Sequence, residues 1–307
     1  MAQIVVGAAI PRGPQLKLEP SAWAGIAERD KTNPWLFDLD GNPLTYDDLL
    51  RDADPSVLQE ITLETWEARY RAGQQALQLV RGAVARADAD VVLVMGDDEN
   101  ELFRDDATRP KLAVYRGATW TWGEERTSYP VATELTEHVI EHLRAGGYDL
   151  HLIDALPEGV PMPHCFGNVY TDLVQAAKPM VPIMVNIHYP VNQTTPVESY
   201  RLGQAVRQAV ESWGGDERVA VAGIGGLSIG VLREDFDRRL LEILRNRDAE
   251  GLAALPYRWI KGPAGEIYNW IGAAGVLEDL QMTVVDYLPA YRSPAGTGCG
   301  MAFAVWS

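Results

Sequence analysis

The sequence predicts an α/β fold, one domain with a central mixed sheet flanked by helices, and three observations predict it. Apolar runs at residues 4–10, 89–95, 181–187 and 218–222 have the length and β-branched content of buried strands. Segments with a helical period, at 61–88, 133–145, 200–213 and 234–247, alternate with them. No repeat, low-complexity tract or linker interrupts the 307 residues, so the chain reads as one domain over 1–307.

Taken in order, the first strand stops at the turn Pro11-Arg12-Gly13-Pro14, where proline removes a donor and glycine relaxes the backbone. Residues 21–54 are polar, with a turn at Asp40-Gly41-Asn42-Pro43, and read as an excursion over the surface. The Ala- and Leu-rich stretch 61–88 predicts one long helix, and 89–95 a strand ending in Gly96-Asp97-Asp98-Glu99-Asn100. A helix over 133–145 and a strand over 148–153 follow. The strand 181–187 runs into His188-Tyr189-Pro190, and 218–222 runs into Gly223-Ile224-Gly225-Gly226-Leu227-Ser228. The aromatic segment Thr119-Trp120-Thr121-Trp122 fits either ordinary surface or a lid.

Composition narrows the function. Hydrophobic residues at 47% and charged residues at 23% are globular proportions. Lys+Arg total 27 against 43 Asp+Glu, a formal charge of −16 that argues against nucleic acid or an anionic membrane as partner. Two cysteines, Cys165 and Cys299, cannot form a disulfide framework. There is no apolar stretch of membrane-spanning length and no basic, apolar leader, so a soluble, cytoplasmic protein is expected.

In such a sheet ligands gather where strands end. Four strand ends carry polar or special residues: Arg12, the cluster from Asp97 to Asn100, His188-Tyr189, and Gly225 to Ser228. The acidic cluster suits a divalent cation or an acid–base pair, or else is a solvated turn. His138 and His142 have one-face helical spacing, but Val139 stands where a zincin places glutamate, and an exposed amphipathic face is the simpler reading. His151, inside a strand, reads as structural. His164, in the loop Pro163-His164-Cys165-Phe166-Gly167, and His188, directly after a strand, are candidate general bases. The Gly223–Ser228 run lacks the third glycine and the later acidic residue of a dinucleotide fingerprint, so a nucleotide is not expected. Cys299 in Gly298-Cys299-Gly300 reads as packing.

These segments together resemble the class III extradiol ring-cleaving dioxygenases, the protocatechuate 4,5-dioxygenase catalytic-subunit type. The resemblance spans almost the whole chain: Gly13-Pro14 before Trp23, VVLVMGDDENELF at 91–103, PHCFG at 163–167 and NIHYPVNQTTP at 186–196 with Ser199 to Gly203. It continues through Gly225 to Ser228, Asp235 to Arg239, Gly265 to Trp270 and YRSPAGTGCGMAF at 291–303. It implies that family's α/β fold, an aromatic, catechol-like or ring-derived anionic substrate, and self-association or pairing with a related subunit. It also implies Fe(II) held by two histidines and a glutamate, with open positions for both reactants.

The ligand set does not carry over. Arg12 stands at the first histidine position, Asp98 is the nearest equivalent of the second, and Asp235 that of the glutamate, with Glu234 beside it. Ile229 follows Ser228 where relatives commonly have histidine. A guanidinium has no lone pair to donate, and no histidine precedes His138, so the first ligand cannot be restored by realignment. His164 matches a histidine the family places beside the substrate, and His188 or Tyr189 falls near another. The expectation is therefore an enzyme with no conventional iron: His164, His188 and Tyr189 catalytic, and Arg12, Asp98, Ser228 and Asp235 binding substrate, with Asp98 and Asp235 able to pair with Arg12. C–C cleavage, decarboxylation, hydrolysis and tautomerisation all remain open to it. Two alternatives stand beside it: an Fe(II) dioxygenase with altered ligands, and a non-catalytic partner of an active paralogue.

Overall fold

β-Branched and other apolar side chains on both faces of a strand demand cover on both sides, and β2 (Val91–Asp97) shows the consequence. All seven of its residues are buried. Val91, Leu93 and Met95 enter one core while Val92 and Val94 enter the other. The computed structural model describes residues 1–103, 110–187 and 192–307. Within these, one sheet joins nine strands in the order β10 (Met282–Tyr291), β11 (Thr297–Trp306), β1 (Gln3–Ile10), β8 (Arg218–Ile224), β2, β7 (Met180–Val185), β3 (Leu112–Tyr115) and β6 (His151–Ile153), with β9 (Ile229–Val231) added against β11.

The central strands β1 (Gln3–Ile10), β8 (Arg218–Ile224), β2 and β7 (Met180–Val185) are mutually parallel. On one side β3 (Leu112–Tyr115) pairs antiparallel with β7 and parallel with β6 (His151–Ile153). On the other, β11 (Thr297–Trp306) runs antiparallel to β1, to β10 (Met282–Tyr291) and to the short β9 (Ile229–Val231). The mixed sheet expected from the alternating pattern is thus present, and its long C-terminal hairpin is an element that the sequence reading missed. A separate hairpin joins β4 (Thr119–Trp122) to β5 (Thr127–Pro130). Its Trp120 is buried and stacks on Tyr115 at 4.8 Å, so this aromatic segment is packed inward.

Helices cover both faces. Leu63–Arg86 lies on one, its N-terminus capped by Thr62. Thr133–Ala145, Pro196–Ser212, Glu234–Asn246 and Ile267–Val276 pack on the other. Thr195 and Glu198 form a reciprocal capping box with Pro196 in the first turn, which sets where the second of these begins. Ile267–Val276 is buried on every side, and small residues let it approach Pro196–Ser212: a Cβ at Gly203 would lie 2.1 Å from the Gly272 carbonyl oxygen. No helix among the described residues is long and apolar enough to cross a membrane.

The segment 21–54 is more than a surface excursion. Trp23 and Leu36 are fully buried, and Asp30 forms a buried ion pair with Arg292 beyond β10. Two large apolar anchors and one paired charge tie it to the body of the protein.

Candidate functional site

Parallel strands end together, and four polar residues meet where β1, β8 and β2 end. Arg12 follows β1 by two residues, Asp97 closes β2, Glu99 lies in the loop beyond, and Glu266 closes the 3-10 turn Gly262–Glu266. Arg12 Nη2 donates to Asp97 Oδ2 at 2.7 Å and to Glu99 Oε1 at 3.0 Å. Its Nε lies 3.0 Å from Glu266 Oε1, an ion-pair contact in which the N–H is not aimed at the oxygen. Arg12 is only 5% exposed, and its Nη1 has no hydrogen-bond partner among the described residues. Burial works against its charge, but Asp97, Glu266 and Glu99 outweigh that and hold the guanidinium firmly protonated.

Each deep carboxylate has a second, uncharged anchor. Asn269 Nδ2 donates to Asp97 Oδ1 and also to the Ile224 carbonyl at 2.8 Å. The backbone N–H of Gly226 donates to Glu266 Oε2 at 2.7 Å. Glycine is required beside it, because a Cβ at Gly225 would sit 2.5 Å from Glu266 Cβ. Burial pushes the Glu266 carboxyl well above the usual carboxylate range; Arg12 opposes this, while the nearby Glu99 and Asp97 charges and a hydrogen bond to Glu99 reinforce it.

His164 sits at the rim, where the loop after Pro163 starts a short helix. Its Nδ1 is 2.9 Å from Glu101 Oε2, and its backbone N–H donates to the same oxygen at 2.9 Å. Its Nε2 faces Glu99 Oε2 at 3.7 Å. The imidazole is 31% exposed, so the cluster runs from a buried cation out to an accessible base.

The expected residues divide. Arg12 and His164 share this cluster, but the carboxylates that meet Arg12 are Asp97, Glu99 and Glu266, not Asp98 and Asp235. Asp98 points its oxygens at the backbone N–H groups of Glu101, Leu102 and Phe103 at 2.8–3.0 Å, and so shapes the loop. Asp235 is exposed on the helix Glu234–Asn246, whose inward acid is Asp237. Ser228 is buried, donating from Oγ to Asp237 Oδ2 at 2.6 Å and accepting from Arg233 N–H at 2.9 Å, which commits it to structure. Asp237 also accepts from Tyr287, and burial pushes it up to about 7 against these hydrogen bonds. Arg12 lies beneath the rim, engaged by carboxylates, rather than open to a substrate. His188 and Tyr189 lie outside the described residues. His138 bonds Ser212 Oγ at 2.9 Å on the helix surface.

Sequence reasoning placed Glu99 and Glu101 in the acidic run without giving either its partner, and missed Asn269 and above all Glu266. Its signal was there: a lone acid heading the apolar run IYNWIGAAGV. A cavity of about 470 Å³ opens elsewhere, between Lys111, His151, Thr194 and Glu198. Its walls carry a compensated Lys111–Glu198 pair at 3.0 Å, and the chemistry points instead to the Arg12 cluster.

Residues 92–301 match the family described as the catalytic LigB subunit of aromatic ring-opening dioxygenase. The chain belongs to this family. It is 27% identical over 173 residues to a gallate dioxygenase of Pseudomonas putida, covering 50% of this chain and 49% of that protein, so it spans about half the length of that relative. An uncharacterized protein from Escherichia coli K12 superposes with a TM-score of 0.49 at 11% identity, over 98% of this chain and 99% of that one. The family resemblance implies iron, and the described side chains of this ring-opening dioxygenase family member do not fit it. A guanidinium stands where the three carboxylates converge, and among the described residues no three His, Cys, Asp or Glu side chains are arranged to hold a metal ion.

Proposed function

We propose that this member of the ring-opening dioxygenase family performs acid–base chemistry on an aromatic or ring-derived anionic substrate, with His164 as the proton-transferring group and without the two-histidine, one-glutamate iron. The observation that carries this reading is the fixed, half-exposed imidazole at the edge of a buried charge cluster. With Nδ1–H donating to Glu101, Nε2, 3.7 Å from Glu99 Oε2, keeps the lone pair that takes a proton from a substrate O–H or C–H. Glu101 and Glu99 supply the countercharge for the imidazolium that forms, and the proton returns to the product from the same nitrogen. Arg12 acts through Glu99, holding that carboxylate at 3.0 Å, and is a positioning residue. The aromatic substrate class rests on the family and on the similarity to a gallate dioxygenase.

The test is a panel of phenolic, catecholic and ring-fission substrates offered to anaerobically purified protein, with metal content measured on the same sample. Turnover without stoichiometric iron, lowered about 100-fold or more in a folded His164→Ala variant, is the expected result. Stoichiometric iron with oxygen uptake on catechols would overturn the reading in favour of an altered iron dioxygenase. Unchanged turnover in His164→Ala, or a wild type inert across the panel, would overturn it too, the latter in favour of a non-catalytic subunit.

A further inference from the structure

We propose that the groove between the helices Pro196–Ser212 and Glu234–Asn246 is a binding site for a small monocarboxylate with an apolar body. None of its residues belongs to the Arg12 cluster, and it stands whether or not His164 transfers protons. On the first helix Val197, Tyr200, Arg201 and Gln204 stand at i, i+3, i+4 and i+7 and so share one face. Leu202, Val206 and Val210 lie on another face, turned into the core. The face with Tyr200 borders a cavity of about 250 Å³, closed on its other side by the end of Glu234–Asn246 and the short helix Ala249–Ala253. Ile243, Leu244 and Leu252, all buried, form its apolar floor. A concave apolar floor with a few polar groups at the edge is the form of a small-molecule site. The volume falls below the roughly 300–1,000 Å³ of drug-sized sites, which limits the occupant to one ring or a short chain.

The polar groups at the edge choose the charge. Arg201 and Arg247 both border the cavity, and neither has a carboxylate within ion-pair reach among the described residues. Arg247 is held by Nη2, which donates to the Leu280 carbonyl at 2.9 Å, while its Nε and Nη1 donate to no described residue. Tyr200 is partly buried, and its hydroxyl has no hydrogen-bond partner among the described residues. Burial raises the Tyr200 phenol above its ordinary value, with Glu278 adding to this and Arg247 and Arg207 opposing it, so the hydroxyl keeps a proton to donate. The two acids at the cavity are committed elsewhere. Gln204 Nε2 donates to Glu278 Oε2 at 2.9 Å, and Asp248 caps Ala249–Ala253 by accepting from the Gly251 N–H at 2.9 Å. Their charges still repel a dianion such as a phosphate monoester, which leaves a single negative charge as the match. A carboxylate takes the guanidinium groups and the Tyr200 hydroxyl as donors, and its apolar body takes the floor.

The experiment titrates 4-phenylbutyrate and its uncharged counterpart 4-phenylbutan-1-ol into the full chain, read by calorimetry with thermal unfolding alongside. The acid is expected to bind at one site, with the alcohol at least about ten-fold weaker. Arg247→Gln should weaken the acid at least about ten-fold, and Tyr200→Phe about three-fold. Ala253→Trp, which fills the cavity from an exposed position, should abolish binding, and His164→Ala should bind like wild type. No saturable binding of the acid to wild type overturns the inference, as does an alcohol that binds as well as the acid. Binding that survives in a folded Ala253→Trp, or that is lost in His164→Ala, places the acid elsewhere and overturns it too. Self-association of wild type that Ala253→Trp abolishes would make the groove an interface between copies, with the same consequence. Should Arg247→Gln not fold because the Leu280 carbonyl loses its donor, Arg201→Gln takes its place.

Discussion

Two buried arginines make opposite use of the same side chain. Arg292 is 6% exposed, and its Nε and Nη2 grip both oxygens of Asp30 at 2.7 and 2.8 Å while Nη1 donates to Gln15 Oε1 at 3.3 Å. Thr297 Oγ1 adds a donor to the same carboxylate. One cation meets one anion and every guanidinium nitrogen has a partner. Arg12 is just as deep, yet it meets three carboxylates and leaves Nη1 unpartnered among the described residues. The difference separates a lock from a site. A balanced, saturated pair fixes the segment 21–54 against the C-terminal hairpin and has no capacity left for anything else. The Arg12 cluster leaves a guanidinium nitrogen unpartnered among the described residues, and an accessible histidine borders it.

The sharpest way to break the comparison is at the lock. Arg292→Ala leaves Asp30 buried with no countercharge and only the Thr297 hydroxyl as donor, and should lower stability by about 3–5 kcal/mol in urea unfolding. A loss below about 1 kcal/mol would mean that Asp30 finds water and that the pair is no lock.

Asp237 tests the same rule with no cation in hydrogen-bond contact: one buried carboxyl, three donated hydrogen bonds from Ser228 and Tyr287. Its folded value of about 7 lies above the 3.8 of the free group. Between these the unfolded chain has released the proton that the folded chain keeps, so stability falls as pH rises from about 4 to about 7. The contribution is of the order of 4 kcal/mol across that window. Asp237→Asn should flatten this part of the stability–pH curve, and a slope unchanged in the variant would show that Asp237 is ionised throughout.

A smaller effect is expected from Glu266→Gln. Because the folded carboxyl is raised by burial and by its acidic neighbours, wild type loses stability as pH climbs above the ordinary glutamate range. The variant should gain on wild type at alkaline pH and match it in acid, where both carry a neutral side chain. A variant less stable at every pH would show that Glu266 is held there as an anion by Arg12.

The mildest change is Glu101→Gln, which keeps the contact to Nδ1 of His164 and removes the countercharge. Turnover should fall about ten-fold, worth ~1.4 kcal/mol, with KM little changed and fold stability unaltered. Full activity would remove Glu101 from the proton-transfer machinery.

Much of this was legible beforehand. The long helix 61–88 emerged as Leu63–Arg86 and the strand 89–95 as Val91–Asp97, because apolar periodicity reports local geometry directly. The site was legible as a place, the ends of the first strands, and Arg12 and His164 were legible as members. Its partners were not. Asp97 and Asp98 are neighbours in one acidic run, and a strand's period of two sends adjacent side chains to opposite faces. A shift of one residue therefore exchanges the Arg12 ligand for the loop brace.

By itself the sequence determined the alternation of strands and helices, the family, and the presence of an arginine at the end of β1, since each is local or a matter of residue identity. Only the tertiary structure decided which acids face that arginine. Glu266 reaches it from the far end of the chain because Ile267–Val276 packs tightly against Pro196–Ser212 and the sheet, and Asp235 loses its place because the amphipathic helix Glu234–Asn246 turns it to solvent. Charge partners are chosen by packing, and packing is a property of the whole fold.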